Sequence, residues 1–181
     1  MFGNKVVKST LMASMLVLMG LSLQANAECT FVGTHAGDPP LVIKPTDTDT
    51  PEAKYFLATC VNPYTKKFAA DSEAAKAGKK KFGYYSCTQC HGGNAGGQTG
   101  PSIIDDRWQY NKHLTDKGMF ETIAGGSDAG MPTWHQQPSG NPELLSTDDI
   151  LIIMGWLRAS YKGGGDKPWL DEKPCDGCKA P

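Results

Sequence analysis

The chain has 181 residues, 18 Lys and Arg against 19 Asp and Glu, and a mean hydropathy of −0.38. This near-neutral balance argues against nucleic acid or an anionic membrane as a partner selected by charge. Its 39% of hydrophobic residues is spread among 21 glycines and 12 prolines, which implies a modest apolar core for the length.

Lys5 and Lys8 precede an apolar run from Leu11 to Leu23, and Ala25-Asn26-Ala27 follows as an A-x-A site. This is the pattern of a secretory signal peptide cleaved after Ala27. The run is too short for a good membrane span, and Glu28 stands where acylation of Cys29 would require a small residue. The expectation is a soluble, exported, periplasmic protein without a membrane anchor. Removing 27 residues leaves 154, and losing two lysines brings the formal charge to −3. That length suits a single domain.

Residues 28–50, rich in Pro, Thr, Gly and Asp, read as an extended arm. Thr50-Pro51 is a helix start, a cap followed by proline in the first position. It opens a short helix over about 51–60, ending before Asn62-Pro63. Asp71 or Ser72 caps the next helix, which carries Ala74, Ala75, Gly78, Phe82 and Tyr85. Gly78 and Phe82 are four apart and share a face. Residues 92–111 are loop, with five glycines between Gly92 and Gly100. Thr115 or Asp116 starts a third helix over about 116–125, ended by Gly125-Gly126, and a second long loop fills 126–145. Ser146 or Thr147 caps the last helix, with Asp148 and Asp149 in its first turn. It runs to about Tyr161 and stops at Gly163-Gly164-Gly165, leaving an irregular tail. No strand pattern stands out, so the fold is expected to be all-α. The divisions are a signal peptide (1–27), an N-terminal extension with a short helix (28–70), a helical domain (71–162) and a tail (163–181).

Cys87-Thr88-Gln89-Cys90-His91 is the motif with chemical content. C-x-x-C-H attaches a c-type haem: each thiol adds to a vinyl group and the histidine becomes an axial ligand. One helical turn brings both sulfurs to one porphyrin edge and the imidazole under its centre. A redox CxxC pair would sit near a βαβ pattern, which is absent, and a zinc site would need two further close ligands. A ligating histidine normally donates its other N–H to a carbonyl or carboxylate, and Pro101, on the stiff Gly100-Pro101 turn, offers that carbonyl. For the second axial position Gly130-Met131-Pro132 is the leading candidate, because a thioether is a soft iron ligand and the flanking residues would fix the loop. Met119 and Met154 compete but fall on apolar helix faces, where methionine is usually core filler. His113 and His135 compete too, and an open position is the remaining alternative. Arg107, Trp108 and Tyr110 concentrate donors suited to haem propionates. Cys29, Cys60, Cys175 and Cys178 remain for disulfides in an oxidising compartment. Three connectivities are possible, of which Cys29–Cys60 with Cys175–Cys178 is preferred. The glycine run at 92–97 follows no strand, so it is not a dinucleotide site.

With these residues in view, the chain resembles class I c-type cytochromes: Gly78 and Phe82, the haem motif, Gly100-Pro101, Gly130-Met131-Pro132 and an aromatic-bearing last helix. The resemblance implies about four short helices around one covalent haem c, with the first and last helices crossing where Gly78 and Phe82 meet Trp156 or Tyr161. A more specific similarity is to the cytochrome c(L) group, electron acceptors of PQQ-dependent methanol dehydrogenases. It rests on Asn62-Pro63-Tyr64, Trp108-Gln109-Tyr110, the stretch Thr115 to Gly126, Met154-Gly155-Trp156-Leu157-Arg158 and Pro168-Trp169-Leu170.

The resemblance implies a mono-haem electron carrier, not an enzyme, and a monomer. It would take single electrons from a PQQ-dependent alcohol (methanol) dehydrogenase and pass them to a downstream cytochrome c or oxidase. The Met131 region departs from the calcium-type pattern, favouring a lanthanide-dependent partner enzyme. Some members hold a structural calcium, for which no ligands are assigned here. A general donor to a terminal oxidase is the alternative carrier. A peroxidase or gas-binding protein would require an open iron position.

Overall fold

The computed structural model describes residues 28–181, so the expected signal peptide lies outside the described residues. Thr50 opens the first helix as expected: its hydroxyl accepts from the Ala53 N–H, and α1 spans Pro51–Thr59. Asn62-Pro63, read as a stop, proves to be a start. Asn62 Oδ1 accepts from the Tyr64 N–H, Pro63 takes the first helical position, and α2 runs Pro63–Ala70. Asparagine before proline ends one helix and caps the next with equal ease. Asn62 is itself buried, donating from Nδ2 to the Leu151 carbonyl at 3.0 Å.

Asp71 accepts from the N–H groups of Glu73 and Ala74 and starts α3, Ser72–Tyr84. The helical turn α4 spans Thr88–His91. A 3-10 turn, Asn111–Leu114, leads into α5, Asp116–Gly125, capped by Thr115. The short α6 covers Gln136–Ser139. α7 spans Thr147–Ala159, where Ser146 and Asp149 form a capping box.

α7 is the hub. At Gly78 of α3 it approaches so closely that a Cβ would collide with the Ile152 carbonyl oxygen and Trp156 Cβ. Phe82 then packs against Trp156 with ring centroids 5.0 Å apart, so Trp156, not Tyr161, is the aromatic at this crossing. On its other face Gly155 admits α2: a Cβ there would lie 2.7 Å from the Phe68 ring and 2.9 Å from Tyr64 Cβ.

The fold is all-α as expected, but the arm is not merely extended. β1 (Phe31–Val32) and β2 (Pro40–Leu41) form an antiparallel ribbon, too short to show an alternating pattern. Phe31 enters a stack with Phe56 and Phe120, at centroid distances of 5.7 and 5.1 Å. The disulfides are Cys29–Cys60 and Cys175–Cys178, the preferred set. The tail also has order: a 3-10 turn at Pro168–Leu170 buries Trp169, and the Arg158 guanidinium lies 4.1 Å from its ring centre. Arg158 is buried, donating from Nε to Asp116 Oδ1 at 2.9 Å and from Nη2 to the His113 carbonyl. Among the described residues no helix is long and apolar enough to cross a membrane.

The two α3 glycines should respond oppositely to alanine. Gly78→Ala should lower stability by about 1–3 kcal/mol through overpacking. Gly83→Ala, with nothing within 4 Å, should raise it by up to about 1 kcal/mol. Urea unfolding midpoints of the two variants would check this pair of signs.

Candidate functional site

α3 delivers the Cys-x-x-Cys-His motif. Ser86, in the left-handed region at φ 59, breaks the helix, and the Cys87 N–H turns back to the Phe82 carbonyl. α4 then sets Cys87, Cys90 and His91 on one turn. The two CxxC pairs of this chain behave differently: Cys175 and Cys178 are bonded, whereas Cys87, half-buried, and Cys90, exposed, are free thiols. Burial pushes the Cys87 thiol up to about 11. A redox-active CxxC nucleophile needs the opposite shift.

His91 Nδ1–H donates to the Pro101 carbonyl at 2.9 Å, the partner expected. That bond fixes the tautomer and leaves Nε2 with its lone pair free. Gly100 lets this loop lie against the motif: a Cβ there would come within 3.3 Å of Cys90 Cβ and His91 Cε1. The Gly100 N–H also donates to the Cys90 carbonyl at 2.8 Å.

The opposing wall grows from the end of α5. The Ser127 N–H donates to the Met131 carbonyl at 2.9 Å and the Gly130 N–H to the Ser127 carbonyl at 3.1 Å. This closes a tight turn that requires φ 95 at Gly130. Between the walls lies a largely apolar cleft of about 320 Å³. Cys87, Cys90, His91, Pro101, Trp108, Tyr110 and Met131 all line it. Arg107 does not: it is exposed, with its backbone N–H bonded to Asp105. Trp108 is held in place by parallel stacking on Tyr161 and an edge contact with Trp169.

The competing iron ligands are accounted for by their surroundings. Met119 and Met154 are buried in the core, off the cleft wall. Both His135 nitrogens are committed: Nδ1 accepts from the Gln137 N–H and Nε2 donates to Thr147 Oγ1. His113 lines the cleft but bonds through Nε2 to Thr122 Oγ1 at 2.7 Å. Thr122, Ser127, Ile103 and Trp134 also line the cleft, and the sequence reading missed all four. No local motif marks them: Thr122, Ser127 and Trp134 reach the cleft through α5 and the loop that follows it, and Ile103 through the loop after Pro101.

The donor set fits a c-type haem: two free thiols at attachment spacing, an imidazole with one nitrogen anchored and one free, and a methionine lining the same apolar cleft. Among the described residues no group of three or more His, Cys, Asp or Glu is arranged to hold a bare metal ion.

Comparison with known proteins agrees with this geometry. A family model described as cytochrome c oxidase, cbb3-type, subunit III matches residues 73–145, from the start of α3 past the Met131 turn. Cytochrome c-L of Methylorubrum extorquens is 36% identical over 126 residues, which are 69% of this chain and 58% of that protein. This chain therefore spans somewhat over half the length of that relative. The crystal structure of cytochrome cL from the marine methylotrophic bacterium Methylophaga aminisulfidivorans superposes with a TM-score of 0.64 at 34% identity, covering 84% of this chain and 97% of the other. Cytochrome cL from Hyphomicrobium denitrificans gives 0.62 at 31% identity, covering 83% and 88%. Fold and cleft together define a class I c-type cytochrome with covalently bound haem c. Within that class the chain belongs to the cytochrome cL family.

Burial holds His113 and His135 near pKa 4, well below the ordinary 6.5, with the charges of Arg158 and Lys112 adding to the effect at His113. A base with a depressed folded pKa takes its proton more readily when unfolded. Stability is therefore full above about 6.5 and lost as pH falls from there towards 4. Each histidine should cost on the order of 2 kcal/mol by pH 5. Urea titrations at pH 7 and pH 5 should show the loss, and His135→Asn should make it shallower.

Proposed function

We propose that this protein is an exported, periplasmic, single-haem electron carrier, in which Cys87 and Cys90 would attach haem c and His91 and Met131 would hold its iron. The observation that carries the reading is that His91, anchored to the Pro101 carbonyl, and Met131, presented by a closed turn, line the same apolar cleft. When bound, the haem supplies one iron that cycles between ferric and ferrous, and Met/His ligation raises its potential.

The protein's own residues do the remaining work. His91 and Met131 would both be committed to holding the iron, so in this reading the chain moves electrons and makes no bonds; we do not assign it as an enzyme. Outer-sphere transfer to a docked partner would run through the haem edge attached at Cys87 and Cys90. Trp108 and Tyr110 supply an indole N–H and a phenol for the propionates, with Arg107 available only from the solvent side. In this reading residues 71–162 enclose the haem, and residues 28–70 and 163–181 brace it.

Membership of the cytochrome cL family, with one solved relative from a methylotroph, supports a PQQ-dependent methanol dehydrogenase as donor. The lanthanide-dependent type is favoured by the Met131 sequence. A downstream cytochrome c or oxidase is the acceptor, and each docking is transient, as redox encounters are. The carrier is taken to act as a monomer.

Stopped-flow mixing of the oxidised protein with a purified PQQ-dependent methanol dehydrogenase and methanol tests the partner. The haem should be reduced at micromolar enzyme. Absence of reduction there would remove methanol oxidation from the account.

A further inference from the structure

The turn carrying Met131 is anchored from outside the segment that encloses the cleft. Its exit is fixed to α5, where the Trp134 and His135 N–H groups donate to the Ile123 and Ala124 carbonyls. The turn itself, Ser127 to Met131, is tied instead to the N-terminal arm, chiefly through Asp128. Asp128 Oδ1 lies 2.7 Å from His35 Nδ1, and its Oδ2 accepts from the Ala36 N–H at 2.7 Å. Its own N–H donates to the Thr34 carbonyl at 3.3 Å, and Thr34 pairs with Ser127 in a parallel bridge. His35 Nε2 reaches back to the Gly125 carbonyl at 3.2 Å, so its ring spans the start of the turn. Leu41 of β2 packs where Gly125 lacks a side chain, at 3.2 Å from the position a Cβ would take. The arm cannot drift from this contact, because Cys29–Cys60 staples it to the end of α1.

These bonds have no evident purpose in closing the core. The His35 and Asp128 side chains are 38% and 59% exposed, and neither lines the cleft. What they share is the five-residue turn that ends on Met131.

We propose that the N-terminal arm is a working part of the haem site, and that His35 and Asp128 are positioning residues whose clasp holds the Ser127–Met131 turn so that the thioether stays on the iron. The proposal rests on the reading of Met131 as axial ligand. Neither residue touches the haem; they act through Met131 by restricting its turn.

An added ligand that must displace Met131 measures this restriction directly. Its apparent affinity scales with the fraction of molecules whose turn has opened. Imidazole is the probe, titrated into the ferric holoprotein at fixed pH. Occupancy is followed by loss of the sulfur-to-iron charge-transfer band. Asp128→Ala, which removes both side-chain bonds of the clasp, should bind imidazole about threefold to tenfold more tightly than the native protein. His35→Ala should do so to a smaller degree, and the double variant should gain less than the product of the two single effects, since His35 and Asp128 share one bond. Gly155→Ala, whose added Cβ would meet Phe68 and Tyr64 of α2 and not the arm or the turn, controls for general destabilisation and should bind imidazole as the native protein does. Native affinity in both clasp variants would overturn the proposal, as would an equal gain in Gly155→Ala. Met131→Ala separates this failure from that of the underlying reading. If it removes the band while the clasp variants are inert, the arm is not involved. If it leaves the band intact, Met131 is not the ligand and both ideas fall.

Discussion

The approach of α3 to α7 at Gly78 is the constraint on which the rest of the molecule depends. There is no room for a side chain between the Gly78 backbone and Ile152–Trp156. That contact fixes both the crossing point and the direction in which α3 ends. Phe82, one turn further on, seats against Trp156. The Cys87-to-His91 turn therefore leaves the helix at a set position against a set wall. Gly155, on the other side of α7, does the same for α2. Two glycines thus let one helix serve two neighbours at backbone distance, and dispersion over those close faces replaces the larger core that the composition lacks.

Around this crossing the cleft is assembled from segments far apart in sequence. Pro101 orients His91. Met131 lies on a turn closed by its own hydrogen bonds and tied to the N-terminal arm through Asp128. Trp108 depends on Tyr161 and on Trp169 in the tail. The tail is in turn secured by Arg158 over Trp169 and by the buried Asp116–Arg158 pair. Burial raises the Asp116 carboxyl pKa against the pull of Arg158 and the Thr65 hydroxyl. A pair of this kind serves the fold chiefly by penalising any arrangement that separates it. The N-terminal arm and the C-terminal tail, both glycine- and proline-rich, thereby brace a cleft that neither of them lines.

Much of this was legible in the residues alone, and the reasons differ from case to case. Thr50, Asp71, Thr115 and Ser146 each found the N–H groups that their side chains are shaped to accept, because capping is local chemistry. The haem motif was readable for the same reason: its function is written in spacing over five residues. The His91–Pro101 bond followed from a simple requirement on a ligating histidine, and an oxidising compartment implied disulfides without deciding among the three pairings, of which the preferred one is found. What was not legible is long-range. Asn62-Pro63 carries both a stop and a start signal, and only the burial of Tyr64 and Phe68 against α7 selects the start. The two-residue strands have no pattern to detect. Arg107 has the right chemistry beside Trp108 and Tyr110, yet the chain turns it to solvent. Thr122 and Trp134 reach the cleft only because α5 docks as it does.

The functional account reduces to whether one iron is gripped from two sides by this chain, by the imidazole of His91 and the thioether of Met131. The most direct measurement is a spectroelectrochemical titration of the holoprotein beside its Met131→Ala variant. The account predicts a low-spin ferric haem with a sulfur-to-iron band in the native protein. In the variant it predicts loss of that band and a midpoint potential lower by on the order of 0.1 V or more. An unchanged band and potential in Met131→Ala would contradict it.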